Sequence, residues 1–129
     1  MPERFITTHQ INGLNELLTI RSTDEPGAGG AHHAYEIYGP PAVLEGKAKA
    51  LFQCDIKFQK GPIAEAGANG ISNESLLAVV IDRLQKFQEG PYKCRENALA
   101  LTKLEEAMHW LQSRTKARTE RGVEGTSKV

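Results

Sequence analysis

The stretch SNESLLAVVIDRLQKFQEGPYKCRENALALTKLEEAMHWL, residues 72–111, decides the fold of the C-terminal half of the chain. Its apolar residues recur at steps of three and four on both sides of the tripeptide EGP: Leu77, Val80, Ile81, Leu84 and Phe87, then Leu101, Leu104, Met108 and Leu111. This period predicts two amphipathic helices. Because the break between them is short, the helices are expected to form an antiparallel hairpin.

The ends of the two helices are marked by capping residues. Ser72 or Asn73 can cap the first helix, and Gly90 is a candidate for a left-handed residue at its end. The second helix is expected to run from about Tyr92 to about Arg121. It is longer than the first helix and overhangs it by roughly 20 Å at 1.5 Å per residue. The overhang carries Trp110 and needs a packing partner, which favours a homo-oligomer.

The N-terminal half has the pattern of short strands separated by turns. Leu17–Ser22, His33–Gly39 and Ala50–Gln59 are rich in β-prone residues, and most glycines and prolines of this half fall between them. In Ala50–Gln59 apolar and polar residues alternate, which predicts one buried face and one solvent-exposed face. We expect a small antiparallel sheet.

The fold class is therefore α+β, with a small N-terminal antiparallel β-sheet followed by a C-terminal antiparallel helical hairpin with a long second helix. The division falls near Gly70, with a β-rich part in residues 1–70 and the hairpin in residues 71–129. At 129 residues the two parts are expected to share one core as a single domain.

Composition excludes several classes of function. The chain has 16 basic and 16 acidic residues, and zero net charge argues against general DNA or RNA binding. No apolar run is long enough to span a membrane, and Met1–Ile11 lacks the core of a signal peptide, so a cytoplasmic protein is expected. Cys54 and Cys94 favour two buried thiols over a disulfide. Without CxxC or HExxH, no metal site is expected.

The sequence also lacks a recognisable catalytic constellation. The histidines are scattered, and the neighbouring carboxylates Glu105 and Glu106 point about 100° apart on a helix. The stretch GAGGAHH, Gly27–His33, fails the dinucleotide and phosphate-loop patterns. It remains either a plain flexible loop or a turn whose backbone approaches an anion, with His32 and His33 as donors. No enzyme activity and no cofactor are predicted.

Three features of the hairpin each have a structural and a binding interpretation. Asn97 interrupts the apolar stripe, where its amide either bonds a turn carbonyl or reads an adenine edge. Phe87 is either core or a platform on which a base stacks. Arginines that share one helix face either complement the negative helix end or bind a diphosphate. These arginines are Arg114, Arg118 and Arg121.

Residues 61–126, together with GGAHHAY (residues 29–35), resemble the helical-hairpin module of phage anti-defence nucleotide sponges. CRENALALTKLEEA, starting at Cys94, and RGVEGT, starting at Arg121, carry the likeness to the anti-Thoeris family in particular. The resemblance implies a non-enzymatic protein of the host bacterial cytosol. It would bind glycocyclic ADP-ribose, a cyclic ADP-ribose isomer made by bacterial TIR immune proteins, and hold it intact. The alternatives are a sponge for cyclic oligonucleotide signals and a protein-interaction module acting through the hairpin.

The resemblance also implies the ligand-binding residues. Phe87 matches the aromatic that stacks on adenine, Asn97 the amide beside it, and Arg114 and Arg118 the phosphate- or base-facing arginines. His32 and His33 lie in the matching loop, and Arg121 matches the motif.

Helix geometry restricts how these residues can share one ligand. Asn97 and Arg114 lie 17 residues apart, or roughly 25 Å on one helix. A compact dinucleotide cannot bridge that distance, so the arginines of a shared pocket must come from a second, antiparallel chain. A homodimer or higher homo-oligomer is therefore expected.

Overall fold

The chain folds into two compact units, the first ending at Lys60 and the second running from Gly61 to Val129. The computed structural model describes residues 4–129, with only the backbone described for Ala28 and Leu44. The first unit is built mainly of antiparallel strands, and the second of helices. The α+β class with an N-terminal sheet and a C-terminal hairpin is thus confirmed.

The first unit contains a four-stranded antiparallel sheet and a two-stranded ribbon. The sheet has the order β1-β2-β3-β6 and the ribbon pairs β4 with β5. The strands are β1 (Arg4–Ile6), β2 (Thr19–Ser22), β3 (Ala34–Tyr38), β4 (Pro41–Leu44), β5 (Lys47–Ala50) and β6 (Gln53–Lys57), and a one-turn helix, α1 (Leu14–Leu17), precedes β2. Strands β1 and β6 form the edges of the larger sheet.

Strand register separates an apolar face from a polar one. Ile6, Ile20, Ile37 and Cys54 lie directly opposite one another across the four strands. The next row, Arg21, Glu36 and Asp55, belongs to the other face because side chains alternate along a strand. Arg21 and Glu36 form a bidentate ion pair there, with N–O distances of 3.0 to 3.2 Å.

The sequence suggested one continuous strand over Ala50–Gln59, but the structure does not have one. The run is divided between β5 and β6, and the break at Leu51–Phe52 lies where the Phe52 ring covers Gly39. A Cβ at Gly39 would come within 2.6 Å of that ring. Strand β4 was not predicted. It is joined to β5 by Glu45 and Gly46, both with positive φ, the conformation that a two-residue hairpin turn requires.

The expectation of two buried thiols is wrong in one respect. Cys54 and Cys94 are both free, but both are exposed. Cys54 lies on edge strand β6, and Cys94 precedes the last helix as its N-cap. The period of the sequence placed Cys54 on the apolar face, but it could not show that this face is left partly uncovered.

The second unit is the predicted helical hairpin preceded by a short helix. Its helices are α2 (Ile63–Ala66), α3 (Asn73–Gln88) and α4 (Arg95–Glu120), of which α3 and α4 pack against each other. Ser72 caps α3 through a reciprocal pair of 3.1 Å hydrogen bonds with Ser75. With 16 and 26 residues, α3 and α4 have the unequal lengths that the sequence predicted.

The turn between the helices differs from the prediction. Gly90 does not have a positive φ, so the left-handed residue expected there is wrong. Helix α3 instead ends in a right-handed residue, and the turn is held by the Gln88 side chain. Its amide accepts from the Cys94 N–H at 3.0 Å and donates to the Cys94 carbonyl at 3.1 Å. Helix α4 accordingly begins after Cys94, three residues later than predicted.

The end of α4 follows the prediction. Gly122 has a φ of +72° directly after the helix. Its N–H donates to the Thr119 carbonyl, and the Val123 N–H donates to the Arg118 carbonyl, each at 3.0 Å. This double closure is a Schellman motif, which requires the left-handed residue that glycine adopts without strain.

Neither unit has a closed hydrophobic core within residues 4–129. Apart from Ser22 and Gly39, no described side chain or residue is fully buried, and Phe5, Val79 and Trp110 are each more than half exposed. The accessible surface is 9463 Å², whereas two separate compact units of this size expose roughly 8,000 Å² in total. The excess surface is large for a monomer. In the same residues, no helix has both the length and the apolar character that a bilayer span needs.

Candidate ligand-binding site

Phe87, in the last turn of α3, is the aromatic centre of the candidate site. Its side chain is 37% exposed. It lies in an open depression of about 510 Å³ on the surface of α3, together with Val79, Asp82, Arg83 and Lys86. The Arg83 guanidinium carbon stands 5.2 Å from the centre of the Phe87 ring. A ring presented in this way can stack on a flat ligand.

Asn97 lies in the first turn of α4, directly after the turn that joins the helices. Its backbone N–H donates to the Cys94 sulfur at 3.4 Å, and its side chain is half-buried. Within the described part of the chain, the Asn97 amide makes no hydrogen bond of its own. The structure therefore does not support the alternative in which the Asn97 amide bonds a turn carbonyl. One donor and one acceptor remain available to a ligand.

The two bonds between Gln88 and Cys94 fix the ends of the helices relative to each other. Phe87 is the neighbour of Gln88, and Asn97 follows Cys94 by less than one turn. The aromatic and the amide therefore both lie next to the joint of the hairpin. Asn97 is not among the residues that line the depression around Phe87.

The three arginines have different environments. Arg114 is exposed and forms no ion pair with the described residues. Arg118 is only 12% exposed and pairs with Glu124 at 3.1 Å, while it also donates to the Val123 and Thr126 carbonyls at 3.0 and 3.2 Å. Arg121, at the C-cap of α4, donates to the Val129 carbonyl. The segment after α4 thus engages two of the three guanidiniums.

That segment also connects to α2. The Ala64 N–H donates to the Gly125 carbonyl at 2.8 Å, and a Cβ at Gly125 would meet Ile63 at 2.8 Å. Ser127 donates to Glu65 at 3.4 Å. Residues 123–127, which we call the C-terminal strap, therefore bind α2 on one side and Arg118 on the other. The strap supplies part of the packing that the overhanging end of α4 was expected to need.

His32 and His33 belong to the first unit, in the loop between β2 and β3. The loop is ordered around Asp24, which accepts from the His33 and Ala34 backbone N–H groups at 3.0 and 3.2 Å. The His32 ring nitrogen Nδ1 contacts the Asp24 carbonyl at 2.7 Å and its carboxylate at 3.5 Å. The His33 Nδ1 atom is buried without a partner in the described residues. The loop is thus more than a flexible linker.

Asp24 is the carboxylate around which the loop is ordered. Burial acts to raise the pKa of this carboxyl, but the two backbone N–H groups and the nearby His32 together outweigh it. The pKa of Asp24 therefore lies below its ordinary value of 3.8. Asp24 is therefore a carboxylate at neutral pH.

Sequence reasoning missed the residues that surround Phe87. Asp82, Arg83 and Lys86 share the depression with the ring. The signal was present, because Arg83 precedes Phe87 by four residues and such pairs meet on a helix face. Among residues 4–129, no cluster of three or more His, Cys, Asp or Glu side chains could hold a metal ion.

The second unit is thus a small helical-hairpin domain that presents an aromatic, a free amide and guanidinium groups on its surface. Residues 53–116 match the family model described as Acb2/Tad1, hairpin domain. The resemblance inferred from the sequence is confirmed. The match starts within β6 and ends in α4, so it includes Phe87, Asn97 and Arg114, but neither Arg118 nor the C-terminal strap.

One curated relative gives the comparison a functional context. The chain is 61% identical over 71 residues to the protein named Thoeris anti-defense 1 from Bacillus phage SBSphiJ7. The aligned part is 55% of this chain and 50% of the relative. The chain therefore matches about half the length of that relative.

Proposed function

We propose that this protein is a phage anti-defence protein that binds and sequesters a cyclic ADP-ribose isomer, glycocyclic ADP-ribose, without cleaving it. The signal is made by bacterial TIR immune proteins, so the protein would act in the host cytosol. The observation that carries the proposal is an exposed Phe87 ring at the end of α3, on a hairpin that matches the Acb2/Tad1 hairpin domain. The unbonded Asn97 amide in the first turn of α4 supports it. The name of the relative, Thoeris anti-defense 1, supports the same function.

The chemistry of these side chains fits a purine nucleotide. Stacking on an aromatic ring contributes about 1–3 kcal/mol per base. The Asn97 amide can donate to and accept from one adenine edge, which a backbone group cannot do alone. Arg114 is available for a phosphate, because it has no acidic partner among the described residues. Arg118 could join it only by exchanging Glu124 for the ligand.

One chain cannot place all of these groups on a single ligand. Asn97 and Arg114 lie on one continuous helix, so their separation is roughly 25 Å along its axis. The proposal therefore requires a second copy, running antiparallel, whose Arg114 reaches the Phe87 of the first. The apolar side chains left exposed on both helices, among them Val79 and Trp110, support such an oligomer.

The test of sequestration is the recovery of intact ligand. The protein is incubated with purified glycocyclic ADP-ribose, filtered free of unbound ligand and then denatured by heat. Chromatography with mass detection should show the unchanged signal in the supernatant. Release of linear ADP-ribose or of any other hydrolysis product would show a degrading enzyme instead.

A protein-interaction module is the second candidate, and one observation favours it. Trp110 is 69% exposed on α4, and exposed tryptophans are frequent centres of protein interfaces. A thermal-shift screen separates the candidates. A ligand at about 100 times its dissociation constant adds about 2.7 kcal/mol of stability. Unchanged melting with ADP-ribose isomers and cyclic oligonucleotides would favour the interaction module, and a shift with the oligonucleotides alone would identify a different signal.

A further inference from the structure

Arg83 contacts the Phe87 ring but forms no ion pair within the described residues. Its guanidinium lies 5.2 Å from the ring centre, a cation–π contact, which is weak at an exposed site. The neighbouring Lys86 differs, because it pairs with Glu89 at 3.6 Å. Arg83 is therefore the cation of the depression whose charge has no acidic partner at hydrogen-bonding distance.

The position of Arg83 fits a phosphate that is attached to a stacked base. Arg83 precedes Phe87 by one helical turn, about 6 Å along the axis of α3. An arginine side chain spans that distance easily, and its planar fork binds two phosphate oxygens at once. The depression holds about 510 Å³, and its charged lining is Arg83, Asp82 and Lys86, of which Lys86 is already paired with Glu89.

From this arrangement we propose that Arg83 is a ligand-binding residue of the site. In the free protein its guanidinium lies on the Phe87 ring. When a purine base stacks on that ring, Arg83 turns away and donates to the phosphate of the same nucleotide. The exchange is favourable because a charge-assisted bidentate pair is stronger than an exposed cation–π contact.

The inference rests on the proposed function in one respect, namely that Phe87 is the platform for the base. It adds a phosphate contact from the same chain as the stacking residue. A cyclic ADP-ribose isomer carries two phosphates. Arg83 of one chain and Arg114 of a second copy would each contact one of them, which explains why neither chain needs a dense basic patch.

The test compares Arg83→Met with Lys86→Met. Both variants remove one positive charge from the same depression, but Lys86 is already paired with Glu89. Calorimetric titration with glycocyclic ADP-ribose should show about 10- to 100-fold weaker binding for Arg83→Met, the loss of one charged hydrogen-bond pair. Lys86→Met should stay within about 3-fold of the unmodified protein. Arg83 is exposed, and unchanged melting temperatures confirm that both variants fold.

A phosphate-free probe separates a phosphate contact from a role in holding the ring. Adenosine binding is followed through the NMR signals of the Phe87 ring. Arg83→Met should bind adenosine as well as or better than the unmodified protein, because the ring is no longer covered. Equal losses for adenosine and the cyclic isomer would overturn the proposal, as would unchanged affinity of Arg83→Met for the isomer. If adenosine shifts the NMR signals of the Phe87 ring in neither protein, Phe87 is not the platform for the base and the proposal is overturned.

ADP serves as the probe that keeps this inference apart from the proposed function. Binding of ADP that depends on Arg83, without binding of any cyclic isomer, would refute the proposed signal and leave the Arg83 assignment standing. Tight binding of the cyclic isomer by both Arg83→Met and the unmodified protein would leave the function standing and refute the assignment.

Discussion

At the scale of single residues, the arginines show how much a side chain depends on its local partners. Arg118 was grouped with Arg114 by helix period, yet the strap surrounds it with one carboxylate and two carbonyl oxygens. An arginine so placed is part of the fold of the second unit, whatever else it binds. Arg114, one turn earlier, has no such partners among the described residues. The pattern of arginines was visible in the sequence, but the partners that distinguish them were not.

The contribution of Arg118 to stability can be measured through a graded set of variants. Arg118→Met leaves two carbonyls and the Glu124 carboxylate without their donor, and it should cost about 1–3 kcal/mol. Glu124→Gln keeps the shape and removes the ion pair, which is partly exposed, so a loss of about 0.5–1 kcal/mol is expected. Urea denaturation gives the free energies of unfolding.

Glu120→Gln is the matched control for this set, because Glu120 lies in the same turn of α4 and is exposed without an ion pair in the described residues. Its free energy of unfolding should change by less than about 0.5 kcal/mol. Equal values for Glu120→Gln and Arg118→Met would show that the bonds between Arg118 and the strap contribute nothing to stability.

At the scale of elements, two glycines after helices behave differently although their sequence context looks alike. Gly122 has φ +72°, whereas Gly90 has no positive φ and has room for a Cβ, with its nearest contacts at 3.7 and 3.8 Å. Gly122→Ala should therefore cost about 1–2 kcal/mol, the strain of a left-handed alanine. Gly90→Ala should be neutral or stabilise by up to about 1 kcal/mol, because it restricts the unfolded chain.

Thermal and chemical denaturation of the two alanine variants check this difference, and each variant is the control of the other. A similar loss in both would mean that Gly90 is left-handed in solution, as the sequence first suggested. A loss in neither would contradict the Schellman closure at the end of α4.

The elements also show which parts of the fold sequence reasoning can reach. The hairpin was predicted because periodicity, the Ser72 cap and Gly122 are local signals that helix geometry obeys directly. The ribbon β4–β5 was missed because Pro40 and Pro41 read as a turn, whereas β4 begins at Pro41 on a ribbon edge, where proline is tolerated. Exposure of Cys54 depends on which strand is the edge. That is a tertiary property with no local signal.

The same distinction holds for the candidate site. Phe87 and Asn97 lie on either side of the turn between α3 and α4, as the sequence predicted, and their action on one ligand stays a prediction. Arg83 could have been found from its spacing, but a charged residue four positions before an aromatic is common on helices and carries little information alone. His32 and His33 lie in the other unit, and their role as ligands stays a prediction.

At the scale of the whole molecule, the exposed surface and the length of α4 lead to the same expectation. Each unit leaves apolar side chains in contact with solvent, and the proposed pocket is incomplete in one chain. A symmetric dimer would cover the exposed apolar side chains and complete the pocket at the same time. One antiparallel contact would cover α4 in both chains, and each chain would supply Arg114 to the pocket of the other. The zero net charge is compatible with this arrangement, since the charge needed for a diphosphate is local.

Subunit mixing tests whether the pocket is shared. Phe87→Ala and Arg114→Ala should each weaken the binding of glycocyclic ADP-ribose by about 10-fold or more, through loss of stacking or of a charged contact. When the two variants are mixed and exchange subunits, half of the dimers are mixed, and one of the two pockets in each carries neither substitution. About a quarter of all pockets should then regain the original affinity in a calorimetric titration.

The matched control for this experiment is a mixture of Phe87→Ala with Asn97→Ala. Both residues come from the same side of the proposed pocket, so every pocket of a mixed dimer keeps one lesion and no recovery is expected. Recovery in the first mixture and not in the second would locate Arg114 on the opposite chain from Phe87 and Asn97. If neither mixture recovers, all three residues act within one chain. The roughly 25 Å between Asn97 and Arg114 would then rule out a single compact ligand touching both.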